Sequence, residues 1–329
     1  MKIFHGTLEI AGQMGILSGE LKKRGHLATG YNIFHSYLGY KDHLVNTNPH
    51  EIQMTHKHII NFFDLFHFHY ASSLLPDYKD LEIIKSKGKK IIMHHWGNDI
   101  RFHDQARVNN PYVYTGDSPA NEVIHDRLTA ISQYVDEAIV QDYEVYTYAH
   151  SYYKKVHVVP ISIDLSQFIP SYPKKDIKRP LILHAPTNPD FKGTLAIEAA
   201  IHHLQKSYNF EYRRIQNMNH EEAVRLYREA DLIIDQIRCG SYGLLSVEAM
   251  ALGKPVAAFI RSDVAARFPS QLPIVNVNPD NITTEIQALL ENPSLRLEKG
   301  KQGREYAEKY HAKEVVVDIL EQIYGNLSS

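Results

Sequence analysis

Short apolar runs alternate with segments of helical period along the whole chain, and turn residues separate them. Lys2–His5 predicts a strand, Gly6–Gln13 a loop, and Met14–Arg24 a helix stopped by Gly25. Further strands are expected at Asp64–Phe68, Lys89–Met93, Ala138–Val140 and Lys155–Pro160, with helical stretches at Lys79–Ser86 and up to about His150. Ser171–Pro180 holds two prolines, three lysines and little to bury, so it reads as a linker. The same grammar then repeats. Leu181–His184, Asp231–Asp235 and Val256–Ile260 predict strands, and Gly193–Lys206 and Gly243–Leu252 predict helices. Asn219 with Glu222 three residues on is a capping-box pattern that starts the helix His220–Glu229. Helices at about Thr283–Glu291, Ser294–Tyr310 and Lys313–Tyr324 complete the chain. Alternating βα units predict an α/β protein with two doubly wound parallel sheets, whose ligands bind at the carboxyl ends of the strands.

The length of 329 residues agrees with two domains. With 36 basic against 38 acidic residues the net charge is −2, so no overall basic field exists to hold nucleic acid. No apolar run is long enough to span a bilayer, and Met1–Gly12 has no signal-peptide core, so a cytoplasmic location is expected. The one cysteine excludes an intramolecular disulfide and any multi-cysteine metal site. Histidine is the odd figure, with 15 of the 20 lying before residue 171. His67-Phe-His69 and His56-Lys-His58 place imidazoles close together, as a metal site would want, but neither has a third ligand at a recognised spacing. Histidines at strand ends or on the surface are the expected explanation, and no metal or other cofactor is expected.

The richest chemistry lies in Gly240-Ser-Tyr-Gly-Leu-Leu-Ser-Val-Glu248-Ala-Met-Ala-Leu-Gly-Lys-Pro255-Val. A small-residue loop leaves a buried strand and enters a helix whose first-turn amides are unpaired. Ser241, Tyr242, Gly243 and Leu244 can therefore present N–H groups to an anion, with the helix dipole behind them. Glu248, about one turn inside, can accept hydrogen bonds from a diol such as a ribose; its plain alternative is an exposed helix glutamate. A second segment, Leu181-Ile-Leu-His-Ala-Pro-Thr187-Asn188-Pro-Asp-Phe-Lys192-Gly193, puts a lysine at a helix start, where it opposes the dipole unless an anion sits between them.

The first segment resembles the signature of the retaining GT-B glycosyltransferases of the family-four type, E-G-F-G-L followed after three residues by E-A-M-A-x-G-x-P-V. Tyr242, Gly243, Leu244, Glu248 to Ala251, Gly253 and Pro255-Val match in order and spacing. The resemblance implies that Glu248 holds the nucleotide ribose while the loop amides face the diphosphate and donor sugar. Lys192 matches the family's diphosphate-binding lysine, whereas the family's arginine is replaced by Thr187 and its first glutamate by Gly240. Asp235 or Arg238 could replace the missing donor contact, and Asp235 could equally end a strand.

The amino half resembles the family more loosely. Gly12 and Gln13 stand at its first Gly-rich loop, and His94-His95-Trp96-Gly97-Asn98-Asp99 resembles its strand-end H-G-x-D. His95 takes the family's histidine role with a one-residue shift, and Trp96 is either a sugar-stacking wall or a core residue. Lys85, Lys87, Lys89 and Lys90 form either a solvated helix end or a contact to an anionic lipid surface at the inner face of a membrane. Val156-His-Val-Val-Pro160 to Phe168 resembles the family's interdomain stretch.

The resemblance thus implies residues 1–165 as a Rossmann-like acceptor-side domain and residues 166–312 as a nucleotide-sugar-binding domain facing it across a cleft. Residues 313–329 would be a helix crossing back to the first. The expected activity is transfer, with retention and without a metal, from a UDP- or GDP-linked sugar to a hydroxyl of a glycan, lipid-linked or small-molecule acceptor. Catalytic candidates are His95, Lys192 and Glu248. Thr187, Asn188, Arg238, Gly240, Ser241, Tyr242, Gly243 and Leu244 are the donor-side candidates, and Gly12, Gln13, His94, Trp96 and Asp99 the acceptor-side ones. Gly240 and Thr187 motivate one alternative, a GT-B-shaped binding or partner subunit without turnover; a sugar-nucleotide epimerase or phosphorylase on the same fold is another.

Overall fold

A computed structural model describes residues 1–327 and divides into two compact units. The first comprises Met1–Gln105, Ser118–Ser162 and the chain from Lys313; the second comprises Ala106–Asp117 and Ile163–Ala312.

The first unit is built on seven parallel strands: β1 (Lys2–Thr7), β2 (Leu27–Asn32), β3 (Leu44–Asn46), β4 (Leu65–His69), β5 (Lys90–His95), β6 (Glu137–Val140) and β7 (Lys155–Val158). Their spatial order is β3-β2-β1-β4-β5-β6-β7. Side chains alternate across such a sheet, and the two faces are filled differently. One carries aromatic rings: Phe4 packs on Phe63, Phe66 and Phe68 at centroid distances of 5.5, 5.6 and 5.8 Å. The other carries Ile3, Leu65 and Ile92, packed on Leu17 and Leu21 of the helix Gln13–Lys23 and on Val316, Val317, Leu320 and Tyr324 of the last helix, Lys313–Asn326. Arg24 ties that last helix down, donating to Asp318, Glu321 (2.6 Å) and the Glu314 carbonyl (2.7 Å). The C-terminal helix is therefore part of the first unit's core.

The second unit has five parallel strands: β8 (Leu181–His184), β9 (Glu211–Arg214), β10 (Leu232–Ile234), β11 (Val256–Ala258) and β12 (Val275–Asn276), ordered β12-β11-β10-β8-β9. Its core joins Ile182, Leu232, Ile234 and Ala257 of the strands to Ile197, Ile201 and Leu204 of the helix Thr194–Leu204 and to Ile286 and Leu289 of Ile282–Glu291. Among the described residues no helix is long and apolar enough to cross a membrane. Of the basic cluster, Lys85 pairs with Asp136 at 3.7 Å, Lys89 donates to the Asn61 and Phe63 carbonyls, and Lys90 donates to the Tyr324 carbonyl at 3.0 Å.

Because Leu320 of the last helix is wholly buried against the sheet, Leu320→Ala is expected to destabilise the first unit by about 2–5 kcal/mol, the range for a leucine cavity. Urea denaturation followed by circular dichroism checks this; a loss within error of zero would mean that the last helix is not part of that core.

Candidate functional site

In the second unit the end of β8, the end of β10 and the start of the helix Leu244–Ala251 converge. Lys192 closes the short helix Pro189–Lys192, and Gly193 follows at φ 81°. A Cβ at Gly193 would lie 2.6 Å from the Ile237 side chain, so only glycine lets these two loops meet. The Lys192 ammonium donates to Asp235 Oδ1 at 2.7 Å and to Gln236 Oε1 at 2.8 Å. Asp235, wholly buried, accepts at Oδ2 from the Gly243 amide (3.2 Å) and the Ser246 hydroxyl (2.7 Å). Burial pushes the Asp235 carboxyl up, but the Lys192 charge and the three hydrogen bonds outweigh it and hold the group below the usual range. The helix N-terminus thus carries an anion of the chain's own, and that anion is what places Lys192 there. Asp235 is an internal counter-ion rather than a free contact to a ligand. Among the described residues the Ser241 hydroxyl, in the same loop, has no hydrogen-bond partner and is buried.

Glu248 is almost completely buried, and its Oε1 accepts from His220 Nε2 at 2.5 Å. Burial pushes the His220 imidazole down, and the Glu248 hydrogen bond and charge more than reverse that. His220 opens the helix His220–Glu229 after Asn219, whose side chain accepts from the Glu222 amide at 2.9 Å. The capping pattern was readable in the sequence; the pairing across 28 residues was not. Thr187 is exposed, while Tyr242 is buried against Phe268 with its hydroxyl 3.2 Å from His311 Nε2. Leu244 begins the helix and is half-buried.

Arg238, Gly240 and Asn188 each meet the segment Ala106–Asp117, in which no motif marks a role. Asn110 donates to the carbonyls of Arg238 (2.8 Å) and Cys239 (3.0 Å). Arg238 Nε donates to the Tyr112 carbonyl at 2.6 Å, and Asn188 donates to both oxygens of Asp117 at 2.8 and 2.6 Å. Gly240 sits at φ 94°, and a Cβ there would meet Asn110 Nδ2 and Arg261 Cβ at 3.3 Å. The loop backbone therefore demands glycine at 240 and leaves no place for a glutamate in this conformation.

In the first unit the strand-end histidines are buried, not exposed. His5, His67, His69 and His94 share one sheet face, with Trp96 stacked on His94 at 4.0 Å. Trp96 is 8% exposed, so it is core rather than an open wall. His95 lies on the opposite side of β5. Its Nδ1 donates to Asp99 Oδ2 and its Nε2 meets the Tyr153 hydroxyl, both at 2.7 Å, so both ring nitrogens are committed. Asp99 also accepts from the amides of Trp96 and Gly97, each at 3.0 Å. His94 Nδ1 faces His67 Nε2 at 3.1 Å. Gln13 is buried and exchanges two hydrogen bonds with the Ser162 backbone (2.9 and 2.8 Å), and Gly12 lies beneath the Tyr40 ring.

One ring nitrogen each from His5, His67 and His69 falls within 4.8 Å of the others, near enough to suggest a cation. The hydrogen bonds argue against it. Trp96 Nε1–H, a donor only, points at His69 Nδ1 at 3.3 Å. That nitrogen must accept, so His69 carries its proton on Nε2 and donates to His5 Nδ1 at 3.1 Å. A metal at His69 Nε2 would require the opposite tautomer, with two N–H groups facing each other. His56 and His58 lie apart, on the helix Pro49–Phe62. An open concavity of about 200 Å³ in this unit is lined by Glu9, Asn32, Phe34, His35, Tyr40 and Lys41. Burial pushes the Glu9 carboxyl up to about 7 against the pull of the Gly15 and Met14 amides.

No family model matches the sequence, and no curated protein matches it significantly. Solved structures match over nearly the whole chain. Sucrose-phosphate synthase from Thermosynechococcus elongatus is 16% identical with a TM-score of 0.61, covering 98% of each chain. A glycosyltransferase from Rickettsia africae is 14% identical with a TM-score of 0.67, over 98% of this chain and 97% of that one. The Anabaena protein HepE, solved with UDP-glucose, is 10% identical with a TM-score of 0.66, over 99% of each chain. The chain has the two-domain, Rossmann-like GT-B fold.

Lys192→Ala leaves Asp235 buried without its cation, and should cost about 3–5 kcal/mol of stability with no ligand present; urea denaturation measures it, and Lys192→Ala with Asp235→Ala together should recover part of the loss. Burial holds the His5 imidazole at about 3 and His184 at about 4, and keeps His67, His69 and His94 well below the ordinary value. The unfolded chain binds protons near pH 6.5 while these folded imidazoles stay neutral. Stability is therefore complete above about pH 6.5 and falls as pH drops below it, by up to about 1.4 kcal/mol per pH unit for each group. Unfolding free energies that stay flat from pH 7 to pH 5 would contradict this.

Proposed function

We propose that the chain is a retaining, metal-independent glycosyltransferase that moves a sugar from a UDP- or GDP-linked donor to a hydroxyl acceptor. The observation that carries the reading is the grouping at one helix start in the second unit: Lys192 held by Asp235, the turn Ser241–Leu244, and the buried Glu248 one turn inside. A nucleoside diphosphate matches each part. Its ribose diol suits a carboxylate, and its phosphates suit an ammonium beside unpaired helix amides. Likeness in fold to a glycosyltransferase and to a protein solved with UDP-glucose supports the same reading.

In this mechanism Glu248 accepts from the ribose hydroxyls, and Lys192 with the amides of Ser241, Tyr242 and Leu244 faces the diphosphate, while the Gly243 amide stays on Asp235. As the bond from the sugar to phosphate breaks, negative charge grows on the leaving diphosphate. Dipoles already aimed at that place stabilise it without reorganising. The acceptor oxygen attacks from the face the leaving group vacates, and the diphosphate oxygen takes its proton. We assign the acceptor to the first unit, where the concavity at Glu9, Phe34 and Tyr40 offers a carboxyl and aromatic rings to a sugar. His95 is a support for Asp99 and its loop in this reading, because both of its nitrogens are already bonded.

A binding subunit without turnover is the second reading, favoured by the neutralisation of Lys192 by Asp235. Calorimetry with UDP, GDP and ADP, paired with an assay for release of free nucleotide from the matching sugar conjugates, separates them. One nucleoside diphosphate should bind, and Glu248→Gln should weaken it about 10–100-fold, the loss of one charge-assisted hydrogen bond. Binding without nucleotide release from any conjugate would favour the subunit reading. Binding by none of the three would overturn both.

A further inference from the structure

The concavity of the first unit is lined by polar groups whose orientation is set from its buried side. Asn32, 2% exposed, accepts at Oδ1 from the amides of Glu9 (3.1 Å) and Phe34 (2.9 Å). Only an oxygen can face two N–H groups, so this carboxamide has one orientation. Its Nδ2 then donates to the Phe34 carbonyl at 2.8 Å and to Asn46 Oδ1 at 3.1 Å. Asn46 is fixed in turn. Its oxygen is taken, and its NH2 group, on an exposed residue lining the concavity, is left to donate to a ligand. Lys41 adds an ammonium on an exposed side chain with no ion-pair partner among the described residues.

Among the described residues that line the concavity, Glu9 alone is acidic. Its oxygens accept from the Met14 and Gly15 amides at 3.2 and 3.0 Å, and burial pushes its carboxyl up to about 7. Near neutral pH it is half uncharged, and its remaining charge faces the start of the helix Gln13–Lys23. The groups left open to a ligand are therefore donors, one of them a cation. Phe34, 50% exposed, and the Tyr40 ring over Gly12 supply an apolar wall. The volume of about 200 Å³ lies below the ~300 Å³ at which pockets for drug-sized ligands begin, so it suits one sugar ring. Resting on the acceptor assignment above, we propose that this concavity selects an anionic saccharide, a hexose unit bearing a carboxylate or a phosphate. Its anionic group lies on Lys41 and Asn46, and its ring face lies on Phe34. A neutral hexose forgoes the charge-assisted bonds to Lys41. The hydroxyl that receives the transferred sugar then belongs to an acidic sugar.

Saturation-transfer NMR and calorimetry on the full chain without nucleotide test this with glucuronate, glucose 6-phosphate, glucose, acetate and inorganic phosphate. At least one acidic sugar should bind tenfold or more tightly than glucose, and which one does so tells a carboxylate from a phosphate. Lys41→Ala should weaken that sugar about tenfold, the scale of one charge-assisted hydrogen bond, and leave glucose unchanged. Phe34→Ala should weaken the acidic sugar and leave acetate and phosphate unchanged. Both side chains are exposed, so neither replacement empties the core. Glucose bound as tightly as the acidic sugars, no acidic sugar bound, a small anion bound as tightly as its matching sugar, or affinity indifferent to Lys41→Ala overturns the proposal. UDP, GDP and ADP judge the donor site separately. A chain that binds one of them but no acidic sugar loses this proposal alone, whereas one that binds an acidic sugar but no nucleotide keeps the site and loses the transferase reading.

Discussion

The second unit is arranged around one ion pair. Asp235 ends a buried strand run with no solvent to ionise in, and it is charged only because Lys192, Ser246 and the Gly243 amide meet it there. Each of those partners constrains the backbone that carries it. Lys192 reaches Asp235 only because Gly193 turns the chain left-handed and lets it pass against Ile237. A Cβ at Gly243 would lie 3.4 Å from the Lys192 ammonium and 3.1 Å from Gln236 Oε1. The helix start, the lysine and the carboxylate are thus one object. Breaking a buried pair of this kind costs far more than its net contribution to folding, because one charge is left stranded.

The first unit solves a different problem. Its sheet is aliphatic at the base of one face and turns to imidazole toward the strand ends, with Ile3, Leu65 and Ile92 giving way to His5, His67, His69 and His94. Neutral imidazole stacks like an aromatic ring and still hydrogen-bonds, which lets one face of the sheet remain packed while its polar atoms link to Trp96 and Tyr324. The cost is a core that is stable only while its rings stay unprotonated.

Legibility in the sequence followed burial. Central strands such as Leu181–His184 and Asp231–Asp235 announce themselves as apolar runs because both faces are covered. Leu27–Asn32, Glu211–Arg214 and Val275–Asn276 carry too few apolar positions to stand out, and they lie toward the sheet edges. The turn from Gly240 to Glu248 was readable because its residues are consecutive and their types follow from the geometry of a helix start. The partners that complete it were not. His220 is 28 residues from Glu248, and Asn110 is 128 residues from Arg238, so no spacing rule connects them. The histidine excess was visible as a number, but only the register of β1, β4 and β5 shows that the rings share one buried face.

The central claim is that this ion pair and helix start form a ready-made seat for a nucleoside diphosphate. A crystal structure of the chain soaked with UDP, or with whichever nucleoside diphosphate calorimetry selects, tests it most directly. Phosphate oxygens are expected within hydrogen-bonding distance of Lys192 Nζ and the Leu244 amide, with the ribose on Glu248 and Asp235 still bonded to Gly243 and Ser246. A nucleotide bound elsewhere on the chain, with Lys192 and Glu248 untouched, would contradict it.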